Sequence, residues 1–375
     1  MNLLYVSLSY VPSRRASSVH VMRMCAAIAR AGHSPRLVAK QSLEAVDDGL
    51  DDYAFYGVDR NFPIEKLPYP QWRRGGNAVF SIAMVRTLMA RRASTDLVYG
   101  RDLIGALAAA ELRMPVVFEA HAVPDPGLNR TLARRLIHHR SLRGLVVISE
   151  ALRRDMEAEG LVPRDAPVIV AHDAADAPGQ LGPAPARGER PRIGYVGNLY
   201  PGRGIELVVE LAQRLPECDV EVIGGTERDL ALWRSKSPAS NLHFVGFVPP
   251  ASLRERYRTF DVLVMPHSRT GVRGATGTAD ISRWTSPMKM FEYMASGVPI
   301  VASDLPVLGE ILTHERNALI APSGDLPAWQ AAVRRLLSDR TLATTVAGQA
   351  YADLVEHHTW DARVRGIFDQ LHVGS

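Results

Sequence analysis

Cysteine is almost missing from this sequence. The chain has two, Cys25 and Cys218, among 375 residues. They fall in different halves, each in an apolar helix or strand setting. That argues against a disulfide framework or a thiolate metal site and for two buried free thiols. Long apolar runs are missing too: none approaches the ~20 residues that a bilayer-spanning helix needs. The opening MNLLYVSLSYV has neither a basic n-region nor a small-residue cleavage site, so it reads as a first strand, and a reducing cytoplasmic setting is expected. Aromatic residues are few, at 7%, and are not interleaved with the arginines. Residues 1–150 hold 20 Lys+Arg against 13 Asp+Glu, whereas the remainder holds 24 against 27. With no aromatic interleaving and no zinc spacing, the basic half does not read as a nucleic-acid surface. A phosphate-bearing partner or an anionic membrane surface fits it better; Arg130, Arg134, Arg135, Arg140, Arg143, Arg153 and Arg154 crowd one part of it.

What is present is a regular alternation. Short apolar runs that read as strands (Leu3–Ser7, Leu37–Ala39, 97–100, 116–119, 145–149, 168–171) are separated by amphipathic stretches that read as helices, such as Val19–Ala31 and Ile104–Leu112. Strands alternating with helices predict a parallel sheet of βαβ units. The pattern stops at 174–191, AADAPGQLGPAPARGERP, which has no apolar periodicity and reads as a linker. It resumes with strands at 192–197, 220–225, 260–266, 298–303 and 317–322, and the stretch Leu326–Leu371 reads as helical throughout. The expectation is an α/β chain of two doubly wound parallel-sheet domains, 1–180 and 192–358, joined by 181–191. Ligands in such sheets bind beyond the carboxyl ends of the strands, so two sheets on one linker would face each other across a cleft suited to excluding water.

Two segments carry chemistry. In RIGYVGNLYPGRGIELV (192–208) a strand ends at Gly197, and a loop bearing Gly202, Arg203 and Gly204 leads into a helix. Glycines admit a ligand close to the backbone, the helix N-terminus offers free N–H groups to an anion, and Arg203 adds a fixed cation. A diphosphate site is one reading. A P-loop is another, but Arg203-Gly204 stands where that motif needs Lys-Ser/Thr; a dinucleotide fingerprint is a third, but the next strand ends in glycine and not in an acid. A plain βα turn also fits. In TSPMKMFEYMASGVPIVASDLPVLGEIL (285–312), Lys289 and Glu292 are three apart on one helix face. A lysine there can meet phosphate and a carboxylate one turn on can accept a ribose diol; an ordinary surface ion pair is the alternative.

Taken in order, these motifs resemble the retaining glycosyltransferases of family four, or group one, with the GT-B fold. The resemblance runs from Gly197–Gly204 through FVGFVPP (244–250) and DVLVMP (261–266) to Ser286–Val301 and Asp304–Glu310. A weaker N-terminal match covers the first strand, Pro12, SSVHVM (17–22) and 31–38. The resemblance implies that Arg203 and Lys289 neutralise the diphosphate of a nucleotide-sugar donor and that Glu292 binds its ribose. It places Gly197, Asn198, Gly202 and Gly204 beside the donor, and Ser303, Asp304 and Leu305 along the base. His121 corresponds to a histidine near the transferred sugar. Ser17 and Ser18 stand in a loop near the donor phosphate or acceptor, where a Gly-Gly pair is replaced by 13–18, SRRASS. Residues 359–371 form a helix that returns to the first domain. Trp284 occupies the place of a glutamate that often faces the sugar, and Asn198 that of a loop arginine. Asp-x-Asp, the carboxylate pair of metal-dependent transferases, is absent, so no metal or other cofactor is expected; cationic side chains and a helix dipole would take its place. The implied reaction is transfer of a sugar to the hydroxyl of a glycan, glycolipid or secondary metabolite acceptor. An epimerase on the same fold, or a binding subunit without chemistry, are the other readings.

Overall fold

The computed structural model describes the chain apart from residues 43–49, 70–75, 163–166, 180, 182–187, 273–279 and 373–375. Part of the linker stretch thus lies outside the described residues. Two compact units are formed: Met1–His172 together with Trp360–Ser375, and Asp173–Thr359.

The first unit contains β1 (Asn2–Val11), α1 (Ala16–Arg30), β2 (Ser34–Gln41), α2 (Asp52–Tyr56), β3 (Ile64–Leu67), α3 (Gly76–Arg91), β4 (Leu97–Gly100), α4 (Leu103–Glu111), β5 (Val116–Ala120), α5 (Leu128–Ile137), β6 (Leu142–Val147), α6 (Glu150–Ala158) and β7 (Val168–Val170). The second contains β8 (Arg192–Val196), α7 (Ile205–Arg214), β9 (Asp219–Ile223), α8 (Glu227–Lys236), β10 (Leu242–Gly246), α9 (Pro250–Tyr257), β11 (Val262–Met265), α10 (Met288–Ser296), β12 (Ile300–Ser303), β13 (Leu319–Ala321), α11 (Leu326–Ser338) and α12 (Arg340–His357). The chain then returns as α13 (Trp360–Gln370), which packs on α1 in the first unit.

Each unit holds one sheet, ordered β3-β2-β1-β4-β5-β6-β7 and β10-β9-β8-β11-β12-β13. Every strand pairing is parallel. The order of such a sheet reverses between β1 and β4 in one unit and between β8 and β11 in the other, and crevices open at these points beyond the strands' carboxyl ends. Central strands such as β4, β5 and β11 are buried at every position, as strands covered by helices on both faces must be.

The C-terminal stretch is three helices and not one continuous run. Asp339 interrupts it and caps α12, its carboxylate accepting from the Leu342 N–H at 2.9 Å; a cap satisfies a donor that the first turn leaves orphaned. α8 begins on a reciprocal Thr226–Asp229 capping box. β3 and α2 were not expected.

Asn241 fixes the layer between α7 and the sheet. Its buried side-chain NH2 shares its two protons among the carbonyls of Ala212, Leu215 and Cys218, at 3.0, 2.9 and 2.7 Å from Nδ2. The end of α7 and the approach to β9 therefore share one partner. We predict that Asn241→Ala destabilises the C-terminal unit by about 2–3 kcal/mol, since it leaves buried carbonyls unsatisfied. Urea unfolding checks this; a change under about 0.5 kcal/mol, the usual range for inconsequential substitutions, would contradict it.

Candidate active site

At the second sheet's reversal point the loops after β8 and β11 lie side by side. The β8 loop is shaped by steric exclusion. Gly204 has φ +81° and a Cβ there would stand 1.7 Å from the Pro266 carbonyl oxygen, so no other residue fits. Gly202 is similarly closed in, 2.5 Å from the Gly271 carbonyl oxygen, and its own carbonyl accepts from the Ser268 N–H at 2.9 Å. The Tyr195 hydroxyl reaches the carbonyls of Asn198 (3.1 Å) and Arg203 (3.3 Å), holding the loop from inside. Gly204 is the N-cap of α7, and no side chain caps that end. Its first-turn N–H groups are thus available to an anion.

Lys289, in the first turn of α10, brings its ammonium to the same place. Nζ lies 4.4 Å from the Tyr195 ring centroid, and a Cβ built on Gly197 would come within 3.3 Å of it. No carboxylate pairs with Lys289 among the described residues. Burial and the neighbouring Arg203 guanidinium hold its pKa well below the usual lysine range, with Glu292 opposing. Burial lowers the pKa of Arg203 as well. A third basic side chain, which the sequence reading missed, completes the group. His267 follows β11 directly, is fully buried, and neither of its ring nitrogens has a hydrogen-bond partner. Burial first, then Lys289 and Arg203, push its pKa well down. A histidine directly after the wholly apolar VLVMP was the available signal.

Glu292 lies one turn beyond Lys289, with Oε2 accepting from the Tyr257 hydroxyl at 2.6 Å. That contact orients the carboxylate. Ser303 ends β12 with a buried hydroxyl that has no partner. Asp304 pairs with Arg269 and accepts from the Ser323 N–H at 2.8 Å; the Ser323 hydroxyl in turn donates to the His267 carbonyl at 3.1 Å. Leu305 is buried. The second unit thus gathers Gly197, Asn198, Gly202, Arg203, Gly204, Lys289, Glu292, Ser303, Asp304 and Leu305 around one edge of one sheet.

The first unit holds the others. Ser17 and Ser18 are in the first turn of α1. Ser18 is fully buried and its hydroxyl donates to the Tyr10 carbonyl at 2.8 Å, so its one donor closes the loop internally. Tyr56 braces the same loop, accepting from the Ser13 N–H at 2.6 Å and donating to the Ser13 carbonyl at 2.9 Å.

His121 follows β5 and is clamped on both sides. Nε2 lies 2.6 Å from Oε1 of Glu119, a carboxylate and therefore an acceptor, so Nε2 carries the proton. Nδ1 then accepts from Arg101 at 3.2 Å. Desolvation of the ring and the Arg101 charge push the His121 pKa down to about 4, against the raising effect of Glu119. Glu119 itself is buried, and His20 Nε2 stands 3.1 Å from Oε1. Tyr99 donates to Oε2, and Arg363 from α13 straddles both oxygens at 3.2 and 3.3 Å. Burial alone would raise the carboxyl pKa; Arg363 and His20 outweigh it and hold it well below the carboxylate range.

Several of the crowded arginines are paired on the surface: Arg135 with Glu111 at 2.7 Å, Arg153 with Glu150 and Glu157 at 2.7 Å each, and Arg130 with Glu159. Among the described residues no helix is long and apolar enough to cross a membrane.

Two family models match the chain, "Glycosyltransferase Family 4" over residues 17–177 and "Glycosyl transferases group 1" over 190–339. The phosphatidyl-myo-inositol mannosyltransferase of Mycolicibacterium smegmatis is 26% identical over 279 residues, 71% of this chain and 67% of that protein. The D-inositol 3-phosphate glycosyltransferase of Mycobacteroides abscessus is 27% identical over 261 residues, 62% of this chain and 55% of that protein. Among solved structures, Anabaena HepE in complex with UDP and glucose matches with a TM-score of 0.71 at 16% identity, covering 99% of both chains. Sucrose-phosphate synthase from Thermosynechococcus elongatus matches with a TM-score of 0.72 at 15% identity, covering 100% of both. Two Rossmann-like parallel-sheet units, both family models and these likenesses agree: the chain belongs to the group 1, family 4 glycosyltransferases of the GT-B fold.

Proposed function

We propose that this glycosyltransferase moves a hexosyl group from a nucleoside diphosphate sugar to an acceptor hydroxyl, with retention of the anomeric configuration. One observation carries the donor assignment: Lys289, Arg203 and His267 converge on a glycine loop and an uncapped helix N-terminus, and among the described residues no carboxylate pairs with Lys289. Desolvated cations need an anion, and a diphosphate supplies it. The HepE structures hold UDP and UDP-glucose, which supports a nucleotide sugar as the donor here.

In this reading Arg203, Lys289 and His267 stabilise the charge that grows on the diphosphate as the sugar C1–O bond breaks. They supply what a divalent ion supplies elsewhere, so no metal is required. The acceptor oxygen attacks C1 from the face that the diphosphate leaves, and its proton passes to the departing phosphate oxygen. No enzymatic nucleophile takes part. Glu292, oriented by Tyr257, holds the ribose, and the backbone at Ser303, Asp304 and Leu305 borders the base. His121 faces the transferred sugar. The net positive charge of residues 1–150 suits an acceptor, or a cytoplasmic membrane face, that is anionic; the surface ion pairs of Arg130, Arg135 and Arg153 reduce the charge left for it.

Three measurements test the donor site. Lys289→Ala should weaken UDP binding by about 10- to 100-fold, the worth of one hydrogen bond to a charged group, while uridine affinity changes little. Equal losses for both ligands would remove phosphate from the site. Glu292→Gln should cost about tenfold in UDP affinity and almost nothing for 2′,3′-dideoxy-UDP; unchanged binding of both would refute the ribose contact. UDP binding should also take up protons. An incoming dianion raises the depressed pKa values of Lys289 and His267, so affinity falls as pH rises through them. Calorimetry in buffers of different ionisation enthalpy reads this directly, and zero uptake would mean that neither group meets the phosphates.

A further inference from the structure

We infer that Arg363, on the last helix, is a positioning residue for His121 and acts through the Glu119 carboxylate. This rests on the reading that His121 faces the transferred sugar. The covalent distance is long, since Arg363 lies 244 residues beyond Glu119, yet all three of its guanidinium nitrogens are engaged. Nε donates to the His172 carbonyl at 2.8 Å, Nη2 reaches the Ala171 carbonyl at 3.2 Å, and Nη1 lies 3.0 Å from Met24 Sδ while meeting Glu119. A guanidinium held this firmly cannot swing away, and neither can the carboxylate it straddles. α13 makes a second contact with the cluster: Trp360 stands edge-on to His20 at 5.1 Å, and His20 edge-on to His121 at 5.3 Å. The groups facing the His121 ring are therefore Arg101 after β4, Glu119 on β5 and His20 on α1, with Tyr99 and Arg363 behind the carboxylate.

The arrangement fixes more than a position. Glu119 accepts a hydrogen bond from the protonated Nε2 of His121, so the ring offers the other nitrogen, Nδ1, as an acceptor beside Arg101. A sugar hydroxyl arriving there would donate to Nδ1 and replace or share the Arg101 contact. Removing Arg363 leaves Glu119 as a buried charge without its main partner and no longer held in one orientation. His121 then loses its fixed tautomer although no residue in contact with it has been substituted.

The test compares Arg363→Met, Arg363→Lys and Glu119→Gln, each first matched to the wild type by thermal melting. The His121 ring is titrated by NMR with labelled histidine, its signal assigned through His121→Gln. In Arg363→Met the negative charge on Glu119 is no longer offset, so the midpoint should rise by about one unit; in Glu119→Gln that charge is gone and the midpoint should fall. Opposite signs are not what a packing defect produces. Arg363→Lys keeps the charge and should fall between, which preserves the test if the methionine variant does not fold. Release of UDP from UDP-glucose should drop about tenfold or more in kcat for both charge-removing variants, with donor KM nearly unchanged, as expected when only alignment is lost. One common midpoint in all folded variants would overturn the inference. Wild-type turnover by His121→Ala would instead remove the reading beneath it, a distinct failure because the midpoints would still move.

Discussion

A carboxylate cut off from water sits at the centre of the first unit, and the chemistry of that unit follows from it. Ionised Glu119 in an apolar interior is affordable only because Arg363, Tyr99, His20 and His121 converge on it. Those partners come from β4, β5, α1 and α13. One electrostatic requirement thereby ties four elements to the carboxyl edge of the sheet and sets which nitrogen of His121 carries the proton.

The second unit solves the opposite problem. Lys289, Arg203 and His267 place positive charge or proton-accepting nitrogen in a desolvated corner without a carboxylate at Lys289. Such a corner is strained while it stands alone, because burial opposes the charged form of each group. The two units thus differ in kind. One is balanced internally; in the other, burial opposes the charged form of each basic group.

The parts that could be read from the sequence were those whose cause is local. Alternation of apolar runs with amphipathic stretches gave the parallel sheets, because burial on both faces forces it. Lys289 and Glu292 could be placed together because a three-residue spacing on a helix defines one face, whereas the crowding of Gly202 and Gly204 by Gly271 and Pro266 comes from a distant loop. β3 escaped notice because IEKL is half charged and only partly buried, and α2 because five residues show no period. His267 and the Glu119–Arg363 pair were invisible for another reason. Their meaning depends on which side chains surround them, and residues separated by 244 positions leave no periodic trace. The contact of the Ser18 hydroxyl, which donates to the Tyr10 carbonyl, likewise left no trace in the sequence.

The first unit is discontinuous, closed by α13 after the whole second unit has intervened. On the ribosome, residues 1–172 emerge long before Arg363 exists, and at synthesis rates of about 5–20 residues per second the interval is on the order of ten seconds or more. Throughout it, Glu119 has no guanidinium partner and α1 lacks the helix that packs on it. The contiguous unit, Asp173–Thr359, can reach its final form first. Completion therefore runs against the direction of translation, and the half made earliest is finished last.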